Sequence, residues 1–129
     1  MSRSSAELRL PADSAYVAAV RLTTAAFAAR LDFSIDDLED ARIAVSEACT
    51  LLLDVLAGTG TDAAGDLEVH YELDERQLGV DISAPGGTSI DQESFAWQLL
   101  SAVTTDLRTE IVDGRRHISY LSKSATRSE

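Results

Sequence analysis

Few side chains in these 129 residues have both the type and the spacing to do chemistry. The lone cysteine, Cys49, cannot close an internal disulfide, and with only His70 and His117 beside it no zinc-type pairing of Cys with His is available. Each histidine falls on the polar phase of a strand-like segment without the company that catalysis or metal binding needs, so both are expected to be ordinary surface groups. Gly86 and Gly87 could let backbone amides approach a phosphate, although two adjacent glycines more often only turn the chain. Carboxylates dominate instead: 22 Asp and Glu against 11 Lys and Arg give a formal charge of -11. That sign repels phosphate backbones and anionic membranes, so neither nucleic acid nor a membrane is expected as a direct partner, whereas a basic protein surface is compatible with it.

The elements that must position these groups follow from periodicity. Glu7 to Leu10 alternates before Pro11 and predicts a short strand, after which Asp13 or Ser14 can cap a helix. Tyr16, Val17, Val20, Phe27 and Leu31 recur at helical spacing, with Ala at most positions between them, so a thin, closely packed helix is expected over 16–31. Ser34 with Asp37, and the acids Asp36, Glu39 and Asp40, suit the start of a second helix. Its apolar stripe is Leu38, Ala41, Val45, Ala48, Cys49, Leu52 and Leu56, and Gly58 and Gly60 suit its stop. The opposite edge carries Asp40, Ile43, Glu47, Leu51 and Asp54.

A loop from Thr59 to Asp66 precedes alternating Leu67, Val69, Tyr71 and Leu73, and a turn at Asp74 to Arg76 returns through Leu78, Val80 and Ile82. Ala84 to Ser89 reads as a second loop. Phe95, Leu99, Leu100 and Val103 predict a third helix over 92–105, and a second hairpin turns at Asp113-Gly114, with a frayed tail from Ser122 to Glu129. The order β-α-α-β-β-α-β-β predicts one α+β domain over 1–129, a two-layer sandwich whose sheet has one face covered by three helices. Three Phe, three Tyr and one Trp are few, so Ala, Leu and Val must fill the interior. The N-terminus lacks an apolar signal core and no apolar run reaches the roughly 20 residues of a membrane span, so a cytoplasmic, reducing setting is expected.

Within this order, the run Asp40-Ala41-Arg42-Ile43-Ala44-Val45-Ser46-Glu47-Ala48-Cys49-Thr50 resembles the helix that opens the ATP site in anti-sigma factors of the serine-protein-kinase type. These belong to the GHKL, or histidine kinase-like, ATPase superfamily. The resemblance runs from about Leu8 to Tyr120, and Ser94-Phe95-Ala96-Trp97-Gln98-Leu99-Leu100 is similar to a divergent, actinobacterial-looking branch. It implies a mixed, mostly antiparallel sheet and a bacterial regulator that works by partner switching in stress response. Such a protein sequesters an alternative sigma factor, pairs as a homodimer, and releases its target to an unphosphorylated anti-anti-sigma protein. Many members phosphorylate that antagonist with ATP and magnesium.

The nucleotide-site positions that the resemblance implies here are Glu47, Leu51, Asp54, Ser83, Pro85, Gly86, Gly87 and Trp97. Glu47 matches the family's general base. One turn on, the magnesium-binding asparagine is replaced by Leu51, which has no oxygen ligand. Ser83 is expected to take the place of the adenine-reading aspartate, or Asp81 if the register slips; Pro85 replaces a glycine, and bulky Phe95 and Trp97 replace the glycine-rich box at the third helix. The implied function is an anti-sigma factor with a degenerate nucleotide site. The alternatives are a working serine-protein kinase, and a small-ligand sensor using a pocket beneath Phe95 and Trp97. Candidate sigma-binding residues, by position, are Arg21, Arg30, Asp32, Asp36, Asp37 and Asp40; no metal-ligand set is expected.

Overall fold

Alternation along the hairpin decides the architecture. The computed structural model describes residues 3–57, 65–86 and 89–124. Strand β2 (Asp66–Asp74) pairs antiparallel with β3 (Gln77–Pro85), and the register sets Val69 opposite Ile82, Tyr71 opposite Val80 and Leu73 opposite Leu78. All six are buried on one face. Strand β5 (Arg115–Lys123) adds Ile118 beside Ile82 and Tyr120 beside Val80, so the apolar face spans three central strands. β1 (Ser4–Pro11) flanks β2 and β4 (Thr105–Val112) flanks β5, which gives the order β1-β2-β3-β5-β4.

All four pairings are antiparallel, so the parallel component expected of a mixed sheet is not found among the described strands. The reason is topological. β4 runs in the same direction as β3, but β5 occupies the slot between them and reverses both contacts.

The helices form the second layer. Asp13 Oδ1 accepts from the Ala15 amide at 2.9 Å, and a single 3₁₀ turn (Ser14–Tyr16) leads into α1 (Val17–Arg30). Asp32, at φ 61°, ends that helix: the Asp32 and Phe33 amides reach back to the carbonyls of Ala29 and Ala28, each at 3.1 Å. Ser34 Oγ then accepts from the Asp37 amide at 3.1 Å and starts α2 (Ile35–Ala57). Ala28, Ala41, Ala44 and Ala48 are buried, and these small side chains let the helices approach closely.

Helix α3 (Phe95–Ala102) is shorter than the expected 92–105. Asp91 to Ser94 is already committed to a turn, and at the other end the Thr104 hydroxyl donates to the Leu100 carbonyl at 2.8 Å. Asp113 and Gly114, at φ 52° and 78°, form the expected two-residue turn between β4 and β5. β5 continues through Lys123, past the expected fraying point at Ser122. The helix stop at Gly58 and Gly60, most of the loop from Thr59, and residues 125–129 lie outside the described residues.

A polar seam crosses the core. The Thr24 hydroxyl donates to the Val20 carbonyl at 2.8 Å and meets the Tyr71 hydroxyl at 2.7 Å, while Phe27 packs edge-on to the Tyr71 ring with centroids 4.9 Å apart. These contacts latch α1 onto β2. Deeper in, the buried hydroxyls of Tyr120 and Ser122 have no hydrogen-bond partner among the described residues. Burial pushes Cys49 from 9.0 up to about 12 and Tyr71 from 10.0 up to about 12, and raises Tyr120 well above 10.0.

Two outcomes follow. Tyr71→Phe removes a made hydrogen bond and should cost about 1 kcal/mol, whereas Tyr120→Phe removes an unmade one and should leave stability unchanged or raise it by about 1 kcal/mol. Urea unfolding of the two variants tests the contrast. The three groups with raised folded-state values bind protons more tightly folded than unfolded. Their contribution is therefore fully present below pH 9.0 and is lost as pH climbs through about 12. The urea midpoint should fall between pH 8 and pH 10.5, and fall less in Tyr120→Phe.

Candidate functional site on the helical layer

Helix α2 faces the sheet on one side and solvent on the other. Asp36, Asp40, Glu47 and Asp54 recur close to whole helical turns and share one edge about 27 Å long. Asp36, Asp40 and Asp54 are exposed and Glu47 is half-buried. Glu47 lies in an open groove of about 320 Å³ on the outward side of α2, lined also by Glu39, Arg42, Ile43 and Ser46, by Arg21 from α1 and by Leu99 from α3. Arg21 Nη1 donates to Ser46 Oγ at 3.5 Å, and Arg42 pairs with Glu39 at 3.4 Å. The Glu47 carboxylate has no hydrogen bond or ion pair among the described residues.

Leu51 does not share that polar edge. It is only 7% exposed and belongs to the central apolar cluster with Leu52, Trp97 and Leu100. Position 51 lies one turn on from Glu47, about 40° round the helix, on the side of the fully buried Ala44. Trp97, 8% exposed, fills the same core, whereas Phe95 is 81% exposed. The two aromatic rings therefore do not roof a common pocket, as the small-ligand expectation required. The amide of Trp97 is held by Ser94 Oγ at 3.2 Å, and the amide of Glu93 by Asp91 Oδ1 at 2.9 Å.

Along β3, Val80, Ile82 and Ala84 face the helices, and Asp81 and Ser83 face the other way. Ser83 Oγ accepts from Arg115 Nε at 3.0 Å, and Arg115 Nη2 also donates to the Ser83 and Asp66 carbonyls at 2.9 and 2.8 Å. Asp81 pairs with His117 Nδ1 at 3.0 Å, and His70 Nε2 with Glu7 at 3.1 Å, all on the open face of the sheet. Neither Ser83 nor Asp81 is thus brought to Glu47. The sequence reading missed Ala84, the helix-facing residue at the end of β3; counting the alternation on from Ile82 would have found it. Pro85 pairs with Arg115, and its ring lies so close to Gly65 that a Cβ there would sit 2.6 Å from it. Gly86, at φ 143°, donates its amide to the Gly114 carbonyl at 3.1 Å; Gly87 lies outside the described residues.

Residues 10–107 match the model of the histidine kinase-like ATPase domain. The chain belongs to that family. Among curated relatives it is 38% identical over 89 residues to the serine-protein kinase RsbW of Bacillus cereus (strain B4264), covering 69% of this chain and 53% of the relative. It is 38% identical over 85 residues to the proteins of the same name from Bacillus thuringiensis (strain Al Hakam) and Bacillus anthracis (strain A0248), covering 66% of this chain and 51% of each. The chain spans about half the length of these relatives.

This histidine kinase-like domain has a helical layer whose residues fit ATP and magnesium poorly. Position 51 offers no oxygen and points into the core, and the helix-facing end of β3 carries the Ala84 methyl rather than a carboxylate. At the start of α3, a ready anion site when open, the Trp97 amide is met by the chain's own Ser94 Oγ. Among the described residues no group of three His, Cys, Asp or Glu side chains could hold a metal ion, and no helix is long and apolar enough to cross a membrane.

The other candidates are spread over the layer. Arg21 lines the Glu47 groove, whereas Arg30 and Asp32 line a separate shallow depression with Glu75 and Arg76. Asp36 and Asp37 occupy the first turn of α2. Replacing Leu51 by Asn should cost about 2–4 kcal/mol in urea unfolding, because it buries an amide in an apolar site. It should not create magnesium-dependent ATP binding by calorimetry.

Proposed function

We propose that this chain is an anti-sigma factor of the partner-switching type, working in the bacterial cytoplasm. It binds an alternative sigma factor and is relieved by an anti-anti-sigma protein, with a nucleotide site too altered for ordinary Mg-ATP binding. The observation that carries this reading is Leu51. One turn beyond Glu47, where magnesium would need an oxygen, a buried leucine is part of the core. The Ala84 methyl and the self-capped start of α3 support it, as does the resemblance to the RsbW proteins. Calorimetric titration with ATP, with and without magnesium, should give no binding at millimolar nucleotide; micromolar, magnesium-dependent binding would sink the reading.

A working kinase is the second reading, favoured by a half-buried, unpaired Glu47 and by the name its relatives carry. Labelling of a serine on the antagonist by ATP would select it. For the sigma factor, the acidic first turn of α2 is the proposed contact, with Arg21 and Arg30 as flanking groups. Reversing Asp36 and Asp37 together to Lys should weaken sigma binding about tenfold or more in a titration with the purified factor.

A homodimer belongs to the same proposal, and α1 supports it. Apart from Arg21 and Arg30 this helix bears no charge, and its exposed positions Ala18, Leu22, Ala26 and Ala29 form an apolar stripe around Leu22, which is 71% exposed. An uncharged apolar stripe on an outward face suits a twofold contact with a second copy. Leu22→Arg should give a monomer by light scattering, with unchanged circular dichroism.

A further inference from the structure

We infer that the groove between Glu47 and the Phe95–Leu99 ridge docks an amphipathic helix of the partner protein, one that carries a basic side chain for Glu47 beside an apolar stripe for the ridge. This rests on the reading that the chain works by protein contact, and it assigns to Glu47 a docking role in place of proton transfer. Helix α3 carries no charged residue, and Phe95, Leu99 and Ala102 follow one another along its outward face. Phe95 is 81% exposed, an unusual position for so large an apolar group in a chain of net charge -11.

Beside this ridge the groove has Ile43 and Leu99 as apolar lining, and Glu47 as a carboxylate without a partner among the described residues. Asp40 and Asp54 lie on the same edge of α2, one on either side of Glu47; Arg42 and Glu39 also line the groove, paired with each other at 3.4 Å, and leave Glu47 as its carboxylate without an ion pair among the described residues. An apolar ridge flanked by acids is the complement of a helix that is apolar on one stripe and basic beside it. A phosphate group would meet Glu47, Asp40 and Asp54 with like charge. Arg21, on the far wall, is placed to accept an acidic residue of the same helix and so to fix its direction.

The test places the photo-cross-linker p-benzoylphenylalanine at position 95 of the full chain, with position 22 as the comparison on α1, in cytosol of the source organism. The joined peptide is identified by mass spectrometry, synthesised, and titrated against the unmodified chain. The expected result is a helical segment with Lys or Arg within one turn of apolar residues. Its affinity should fall about tenfold or more with Glu47→Lys, fall less with Glu47→Gln, and return when that basic residue of the peptide is exchanged for Glu. Circular dichroism establishes that both variants are folded.

The inference is overturned by a joined segment without a basic residue, by unchanged affinity in Glu47→Lys, by joining only to a second copy of the chain, or by joining from position 22 and not from 95. If the captured protein is neither a sigma factor nor its antagonist, the anti-sigma reading fails. The docking assignment is then still decided by the charge exchange.

Discussion

A sheet with apolar side chains on one face only can be covered on one side only, and the rest of this molecule follows from that asymmetry. Leu67 to Leu73 on β2, Leu78 to Ala84 on β3 and Ile118 to Tyr120 on β5 put their apolar residues in phase, so all three helices gather on that face. The other face is left to water and is laced with polar pairs: Arg9 with Glu68, Glu7 with His70, Asp81 with His117. Exposed pairs of this kind contribute little stability each, about 0–1 kcal/mol. Their effect is to keep β1, an open edge, in register on β2 without presenting an apolar surface.

Because the helices lie on one side of the sheet, each has an inward and an outward face, and the outward faces differ. That of α1 is apolar and small, α2 carries a line of carboxylates, and α3 shows a hydrophobic ridge. A helix that is apolar all round is ordinarily buried, and one that is only partly covered by its own domain has surface left for another molecule. The contrast with the polar sheet face indicates which side of the molecule is built for contact. It also explains why the charge of -11 need not oppose association: in the groove Glu39 and Glu47 stand with Arg21, Arg42 and the apolar Ile43 and Leu99.

The same packing shapes the flank of α2 beside Glu47. Leu51 and Trp97 are core residues, so the flank of α2 that could have presented ligands is sealed by hydrophobic contact. At the entry to α3, Ser94 satisfies the Trp97 amide, which an anion would otherwise use. Glu47, one turn from Leu51, escapes this closure because it lies over the groove rather than against the core.

The sequence by itself determined the order of elements, the buried phase of each strand, the caps at Asp13 and Ser34, the Asp113-Gly114 turn and the acidic edge of α2. Each depends on residues within a turn or two of one another, where period and capping chemistry act directly. It also carried the family, through the helix around Glu47. The tertiary structure decided what depends on neighbours distant in the chain. Insertion of β5 between β3 and β4 made the sheet antiparallel throughout, and the approach of α3 buried Leu51 and Trp97 while leaving Phe95 outside. Arg115 fixed Ser83 on the face away from Glu47. Helical and strand periods tell which way a side chain points along its own element; only the packed layers tell whether anything stands there to cover it.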